Sequence, residues 1–164
     1  MIFVTTGTNE QGFDRLTRAA HELGGREELV VQYGSSRIQD GPGTWEAFLP
    51  FADMRAAMER ARVVVAHAGV GSILLAHRCG RRPVVMPRRV GLGEAVDDHQ
   101  LGLARRLEGQ GLVTVVQDAG ELARAVAHAP TSVVAAQGGV TGGLVAELRA
   151  TLERLTAPVP VATR

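Results

Sequence analysis

The chain has 164 residues, a formal net charge of +1 and 45% hydrophobic residues, which is the composition of one ordinary globular domain. Every basic residue is arginine, so lysine Schiff-base chemistry and the lysine-dependent P-loop are excluded. A net charge so close to zero gives no general attraction for polyanions, and we expect no nucleic-acid partner. The single cysteine, Cys79, excludes a disulfide within the chain and fits a reducing, cytoplasmic setting.

Short apolar runs alternate with helical patterns along the chain. Strands are predicted at residues 2–4, 29–33, 63–66, 84–86 and 113–116, with a further short strand at 47–51. Helices are predicted at residues 13–23, 54–61, 72–79, 97–111, 119–129 and 142–155, and residues 158–164 are expected to form a flexible tail. This alternation predicts a single α/β, Rossmann-like domain over residues 1–157, with a parallel sheet and helices on both faces.

We expect neither a signal peptide nor a membrane-spanning segment in this sequence. The opening stretch MIFVTTGTNEQGFD lacks the basic start and long apolar run of a signal peptide. No stretch approaches the ~20 apolar residues of a spanning helix. If a membrane is involved, we expect a partner to provide the attachment.

Three loops that follow predicted strands form the candidate site, because ligands of parallel sheets bind beyond the carboxyl ends of strands. In chain order they are TTGTNEQG, HAGVGS and PRRVGLGEAVDDHQ. In the loop HAGVGS, Gly69 and Gly71 allow a sharp turn and a close approach of the backbone to a ligand. Ser72 is expected to cap the next helix, whose free N–H groups favour an anion. His67 can donate a hydrogen bond to a phosphate oxygen. The pattern suits a diphosphate, and a tight turn around a packed histidine is the alternative explanation.

Other common sites do not fit this turn. It is not the G-x-G-x-x-G of nicotinamide dinucleotide sites, the ATP P-loop, or the G-x-S-x-G elbow of hydrolases. The five histidines are scattered, without metal-ligand spacing to cysteines or carboxylates, so we expect no metal site.

The third loop, PRRVGLGEAVDDHQ, concentrates charged and amide side chains after a predicted strand. Arg88 and Arg89 could neutralise a phosphate or meet an acidic acceptor. The carboxylate of Asp98 and the amide of Gln100 suit sugar hydroxyls. We interpret Asp97 as a solvated residue at a helix start, where aspartate is favoured.

Together, HAGVGS, RRPVVMPR and GEAVDDHQ resemble the C-terminal, donor-binding half of family 28 glycosyltransferases of the GT-B fold. The opening MIFVTTGTNEQGFDRL is similar to free-standing members of that family. These include the small catalytic subunit of the two-subunit N-acetylglucosamine transferase of N-glycan assembly and, more similar still, the small subunits of bacterial transferases for capsule and exopolysaccharide. The resemblance covers about residues 1–112.

The resemblance implies a site for a UDP-sugar. The turn from His67 to Ser72 would hold the diphosphate, with Gly7 and Thr8 on its other side, and Asp98 and Gln100 would reach hydroxyls of the donor sugar. Leu75 stands where many relatives have a glutamate that binds ribose. The donor-binding residues expected on this basis are Gly7, Thr8, His67, Gly69, Val70, Gly71, Ser72, Arg88, Glu94, Asp98 and Gln100.

The resemblance also implies a reaction and a partner. A GT-B enzyme has two such domains, so a membrane-attached subunit would bring the acceptor domain and recruit this chain to the inner face of the plasma membrane. A hexose, hexuronic acid or N-acetylhexosamine would pass from a UDP-sugar to a lipid-linked saccharide acceptor during polysaccharide synthesis, without a metal or other cofactor. The general base would lie on the partner, or be Glu94 or His67.

Two other functions remain open from the sequence. One is a UDP-sugar-binding or regulatory module without turnover, which the leucine at position 75 allows. The other is an unrelated small α/β nucleotide hydrolase, although no nucleophile with an adjacent base is evident.

Overall fold

The computed structural model describes residues 1–25, 27–38 and 41–129. The strands are β1 Ile2–Thr5, β2 Leu29–Gln32, β3 Thr44–Glu46, β4 Val63–His67, β5 Val84–Met86 and β6 Thr114–Val115. The helices are α1 Asp14–Leu23, α2 Phe51–Arg60, α3 Val70–Arg78, α4 His99–Gly109 and α5 Ala119–His128, with a 3-10 turn at Val90–Leu92. The predicted helix at residues 142–155 and the predicted tail at 158–164 lie outside the described residues.

The strands form one parallel sheet in the order β3-β2-β1-β4-β5-β6, which confirms the predicted α/β architecture. The central strand β1 pairs with β2 on one side and with β4 on the other, so Val4 lies between Val31 and Val65. The chain therefore winds outward from β1 in one direction and from β4 in the other. Ligands of such sheets bind where the winding direction changes, at the carboxyl ends of these two strands.

Both faces of the sheet are covered, as predicted. Along β1, Ile2 and Val4 point into a core with α1 and α5, where Leu16 and Leu122 are fully buried. Phe3 points to the opposite face and packs against residues of α2 and α3. The helix α4 completes this second face through a cluster around Ile73, Val85 and Leu107. Burying side chains of this size stabilises the fold by about 1.5–3 kcal/mol each.

The prediction of a strand at residues 47–51 is wrong. The edge strand lies earlier, at Thr44–Glu46, and pairs with β2. Pro50 lacks the N–H that a ladder needs, and it precedes the first residue of α2 with φ −53°, a value compatible with a helix start. Phe48 and Phe51 are 57% and 65% exposed, so the apolar run does not form a buried strand.

Within the described ranges, no helix combines the length and the apolar character needed to cross a membrane.

Candidate functional site

A cleft of about 350 Å³ lies at the carboxyl ends of β1 and β4, where the winding direction of the sheet changes. We call it the switch-point cleft. It brings together five residues that the sequence predicted to bind the donor, which are Gly7, Thr8, His67, Gly71 and Ser72. Its remaining lining residues are Thr5, Gln32, Phe51, Met54 and Leu75.

The start of α3 gives this cleft an anion-binding edge. The first backbone bond of the helix joins the Ile73 N–H to the Gly69 carbonyl at 3.1 Å, so the N–H groups of residues 70–72 precede the helical ladder. No side chain caps them. These N–H groups and the positive end of the helix dipole favour a phosphate group in the cleft.

Ser72 does not cap α3, so that prediction is wrong. The N-cap position belongs to Gly69, and Ser72 is the third residue of the helix. Its side chain lines the switch-point cleft. A serine at this position can offer its hydroxyl to a ligand at the helix start.

The turn after β1 forms the opposite wall. Gly7 has φ +80°, a left-handed conformation that favours glycine, and its N–H donates to Thr5 Oγ1 at 3.2 Å. Thr6 Oγ1 donates to the carbonyl of Gln32 at 3.4 Å, which holds the turn against β2. The cleft is thus bounded by a fixed backbone turn on one side and a helix start on the other.

His67 lies between these two walls, and its imidazole fills space left by two glycines. A Cβ atom on Gly7 would lie 2.4 Å from the ring, and one on Gly69 would lie 2.1 Å from Nε2. Burial and the positive charge of Arg88 lower the His67 pKa to about 4, and a hydrogen bond to the Thr5 backbone acts weakly in the opposite direction. The ring is therefore neutral at pH 7, able to donate one hydrogen bond but poor as a general base.

Gly71 differs from the other two glycines. A Cβ atom there would meet no atom within 4 Å, and the residue is exposed in the first turn of α3. No packing requirement within the described chain explains its lack of a side chain. Its position on the cleft fits the predicted close approach of a ligand.

Sequence reasoning missed the apolar side of the cleft. Phe51 and Met54, from the first turn of α2, lie there with Leu75 of α3. The 65% exposure of Phe51 is unusual for a large aromatic side chain. The run FLPF at residues 48–51 is the sequence feature that could have indicated an exposed apolar surface here. A flat aromatic ligand such as a nucleobase can pack on such a surface.

Arg88 does not lie on the cleft surface. Its side chain is only 1% exposed, and its guanidinium donates to four backbone carbonyls. The predicted direct contact with a phosphate conflicts with this placement, because both terminal nitrogens already donate inside the protein and the unpartnered Nε is buried. Arg89 lies next to it, and its guanidinium bonds to the side chain of Gln117.

Glu94 is also engaged within the protein. Arg15 forms a two-point pair with its carboxylate, with Nε–Oε1 at 3.0 Å and Nη2–Oε2 at 2.7 Å, and the Arg89 N–H donates to Oε2 at 3.0 Å. This pair borders a separate cavity of about 520 Å³ near the start of α1. Because both oxygens of Glu94 already accept hydrogen bonds from Arg15 and Arg89, and the residue does not line the switch-point cleft, it is poorly placed to act as a general base there.

Asp98 and Gln100 secure the segment that leads into α4. Asp98 Oδ1 accepts from the Val90 N–H at 3.2 Å, and Gln100 Oε1 accepts from the Arg88 N–H at 3.3 Å. Neither residue is among those lining the switch-point cleft. Their contact with a donor sugar stays a prediction. Asp97 accepts the His99 N–H at 3.1 Å, in keeping with its interpretation as a residue of the helix start.

Among residues 1–25, 27–38 and 41–129, no three His, Cys, Asp or Glu side chains are grouped as metal ligands would be.

Comparison with known proteins agrees with this geometry. Residues 1–132 match the glycosyltransferase family 28 C-terminal domain. The UDP-N-acetylglucosamine transferase subunit ALG13 of Yarrowia lipolytica is 32% identical over 90 residues, which are 51% of this chain and 44% of that protein.

A second relative, from Syntrophotalea carbinolica, is the UDP-N-acetylglucosamine--N-acetylmuramyl-(pentapeptide) pyrophosphoryl-undecaprenol N-acetylglucosamine transferase. It is 34% identical over 110 residues, which are 64% of this chain and 28% of that protein. This chain thus spans less than half the length of either curated relative.

The fold is that of the C-terminal half of GT-B glycosyltransferases. The crystal structure of the glycotransferase of kitacinnamycin aligns with a TM-score of 0.63 and 21% identity, covering 93% of this chain and 42% of that one. The family match covers most of the chain, and the chain therefore belongs to glycosyltransferase family 28, of which it contains the C-terminal domain.

Proposed function

We propose that this chain is the donor-binding subunit of a two-component glycosyltransferase, which moves a sugar from a UDP-sugar to a lipid-linked saccharide acceptor. The observation that carries the proposal is the switch-point cleft, where the uncapped start of α3 faces the turn at Gly7. In a family 28 C-terminal domain, this is where a charged diphosphate would find free N–H donors.

The nucleoside would extend from the diphosphate along the apolar side of the cleft. Phe51, Met54 and Leu75 offer a surface for the base, while Gln32 and Thr5 provide polar atoms beside it. With leucine at position 75, the ribose would be held by backbone groups and these polar side chains.

Both curated relatives are named for N-acetylglucosamine transfer, which makes UDP-N-acetylglucosamine the first donor to test. Another N-acetylhexosamine, a hexose or a hexuronic acid remains within the proposal. Asp98 and Gln100 would read the hydroxyls of whichever sugar is transferred.

The proposed reaction needs a base that removes the proton from the acceptor hydroxyl as it attacks the anomeric carbon. The bond to the UDP oxygen breaks in the same step, and the N–H groups at the start of α3 stabilise the departing diphosphate. His67 has a pKa of about 4 and Glu94 is paired with Arg15, so neither is suited to the task. We therefore place the base on the partner subunit.

The partner would be a membrane-attached protein that carries the acceptor domain and recruits this chain to the cytoplasmic face of the plasma membrane. The support for a two-part enzyme is that the ALG13 relative is named as a subunit. Synthesis of capsule or exopolysaccharide is the proposed setting.

Calorimetric titration of the whole chain with UDP, UMP, ADP and GDP tests the ligand. We expect UDP to bind more tightly than UMP, because the second phosphate reaches the start of α3, and more tightly than ADP or GDP. Equal binding of UDP and UMP would contradict the diphosphate site, and preference for ADP would contradict the uracil assignment. Mass spectrometry of the UDP-N-acetylglucosamine reaction with a candidate partner then separates transfer from binding alone.

A further inference from the structure

Arg88 is the largest side chain that is fully buried in the described part of the chain. Its Nη1 donates to the carbonyls of Gln11 at 2.8 Å, Gly12 at 3.2 Å and Glu94 at 2.9 Å. Its Nη2 donates to the carbonyl of Thr6 at 2.9 Å. All four acceptors are backbone oxygens in loops, and none belongs to a strand or a helix.

The charge of Arg88 is held without an ion pair, since no described carboxylate forms a salt bridge with it. The Phe13 ring lies beneath its guanidinium, with 4.7 Å from Cζ to the ring centroid. Burying a cation in this way is costly, and its volume alone could be filled by an apolar side chain without that cost. The retained guanidinium therefore needs an explanation other than packing.

Arg88 joins a loop of the switch-point cleft to the loop that, under the proposed function, approaches the donor sugar. The β1–α1 loop, residues 6–13, carries Gly7 and Thr8 of the switch-point cleft. The β5–α4 loop, residues 87–98, contains Arg88 and Glu94 and ends at the start of α4, where Gln100 accepts the Arg88 N–H. The Arg88 guanidinium thus joins two loops that no strand pairing connects, and Arg15 at the start of α1 adds a second link to the β5–α4 loop through Pro87 and Glu94.

We propose that Arg88 is a positioning residue that fixes the β1–α1 loop against the β5–α4 loop, so that both are already arranged when the donor binds. The identity of that ligand rests on the proposed function. Arg88 acts through backbone carbonyls and contacts no substrate. A planar fork of donors is required, because an ammonium group cannot reach carbonyls of both loops in the same geometry.

The test uses Arg88→Lys and Arg88→Gln in the whole chain, with Arg62→Gln as the matched control. Arg62 also ties backbone together, donating to the carbonyls of Val126 and Ala129 and pairing with Glu27. It lies at the amino-terminal ends of the central strands β1 and β4, opposite the switch-point cleft, where its N–H donates to the Met1 carbonyl. Arg62→Gln therefore shows the effect of losing a comparable set of backbone hydrogen bonds, without loss of the connection between the two loops.

Three measurements are made on each variant: amide hydrogen exchange, UDP affinity, and the His67 pKa by NMR. Since hydrogen bonds to a charged group are lost, we expect both Arg88 variants to raise exchange in residues 6–12 and 89–98 about tenfold and to weaken UDP binding about tenfold. Arg62→Gln should change neither. The His67 pKa should rise in Arg88→Gln, which removes the positive charge, and stay low in Arg88→Lys.

Unchanged exchange in the two loops would overturn the proposal, as would UDP affinities equal to that of Arg62→Gln. Failure of both Arg88 variants to fold would also overturn it, because Arg88 would then be a general requirement of the fold. If the unaltered chain binds no UDP, the proposed function fails, and the exchange data alone still decide the role of Arg88.

Discussion

The imidazole of His67 occupies the space that a side chain on Gly69 would need. A Cβ atom on Gly69 would lie 2.1 Å from Nε2 and 2.8 Å from Cδ2. Gly69 has φ −85°, a conformation open to any residue, so backbone freedom does not explain the glycine. Packing of the histidine does, and this distinguishes Gly69 from Gly71 two residues later.

The first prediction compares alanine at these two positions. Gly69→Ala should destabilise the fold by about 1–3 kcal/mol, because the added methyl forces the His67 ring to move. Gly71→Ala should be neutral or slightly stabilising, by up to about 1 kcal/mol, because its methyl meets open space in a helical turn. Denaturant unfolding of both variants checks the difference. Similar free energies of unfolding for Gly69→Ala and Gly71→Ala would show that the His67 ring does not occupy the space beside Gly69.

The second prediction concerns ligand approach at Gly71. Gly71→Val should leave the fold intact and weaken UDP binding at least about tenfold, because a branched side chain at the start of α3 blocks the diphosphate. Gly109→Val in α4 is the matched control, since Gly109 is also an exposed helical glycine with open space around it. Calorimetry on both variants is decisive. Wild-type affinity in Gly71→Val would mean that the turn has only a structural role.

The sequence predicted the sheet well because its signal is local. Runs such as VVVA at residues 63–66 are apolar throughout, as strands buried on both faces must be, and five of the six strands follow from them. The exception is β3, where Thr44 and Glu46 are exposed. The run AFLPF that follows it is more apolar, so the sequence pattern predicts the strand there instead. An edge strand pairs on one side only and needs less apolar character.

The site was only partly predictable, because its decisive contacts are long-range. The glycine turn was found, but local sequence cannot show that Gly7 and Gly69 accommodate one ring. An arginine in a charged loop normally faces solvent, and nothing near Arg88 in sequence reveals that its acceptors include the carbonyl of Thr6, 82 residues away. The exposed Phe51 was missed because apolar residues were assigned to the core by default.

The third prediction concerns pH. The folded pKa of His67 is about 4 and its ordinary value is 6.5, so between these limits the unfolded chain binds more protons than the folded one. Stability from this group is complete above pH 6.5 and falls as pH decreases toward 4, by up to about 3 kcal/mol. His67→Asn removes the titration, so its free energy of unfolding should depend less on pH over this range. Glu27 and His77, whose pKa values are also lowered, contribute equally to both chains.

Urea unfolding at several pH values between 4 and 7 measures this difference. Far-UV circular dichroism at pH 7 confirms that His67→Asn is folded. If the free energy of unfolding changes with pH in the same way for the wild-type chain and for His67→Asn, burial does not keep the His67 ring neutral.

The fourth prediction tests the apolar wall of the cleft with two phenylalanines. Phe51→Ala should weaken UDP binding by about 1 kcal/mol, because a stacked base loses its aromatic partner. Phe48→Ala is the control, since Phe48 is 57% exposed and does not line the cleft. Both are surface changes and should alter stability little. An equal effect of both on affinity would place the base elsewhere.

The last prediction concerns recognition of the sugar. Asp98→Asn keeps an oxygen that can accept the Val90 N–H, and Gln100→Glu keeps one that can accept the Arg88 N–H, so the segment before α4 should be preserved. The groups that could hydrogen-bond to a ligand do change. Asp98→Asn removes a charged acceptor, and Gln100→Glu removes an amide donor. Asp97→Asn, next to them and bonded to His99, serves as the control.

If Asp98 and Gln100 contact sugar hydroxyls, Asp98→Asn loses a charge-assisted hydrogen bond worth about 1.5–3 kcal/mol, and Gln100→Glu loses an amide hydrogen bond worth about 0.5–1.5 kcal/mol. Affinity for the UDP-sugar should then fall about tenfold or more in Asp98→Asn and up to about tenfold in Gln100→Glu, while affinity for UDP stays nearly unchanged. Titrating each variant with UDP and UDP-N-acetylglucosamine, beside its melting temperature, makes the comparison. Equal loss of both ligands, or a loss that follows the melting temperature, would show that the two residues only hold the loop, because a sugar contact cannot affect a ligand that has no sugar beyond its diphosphate.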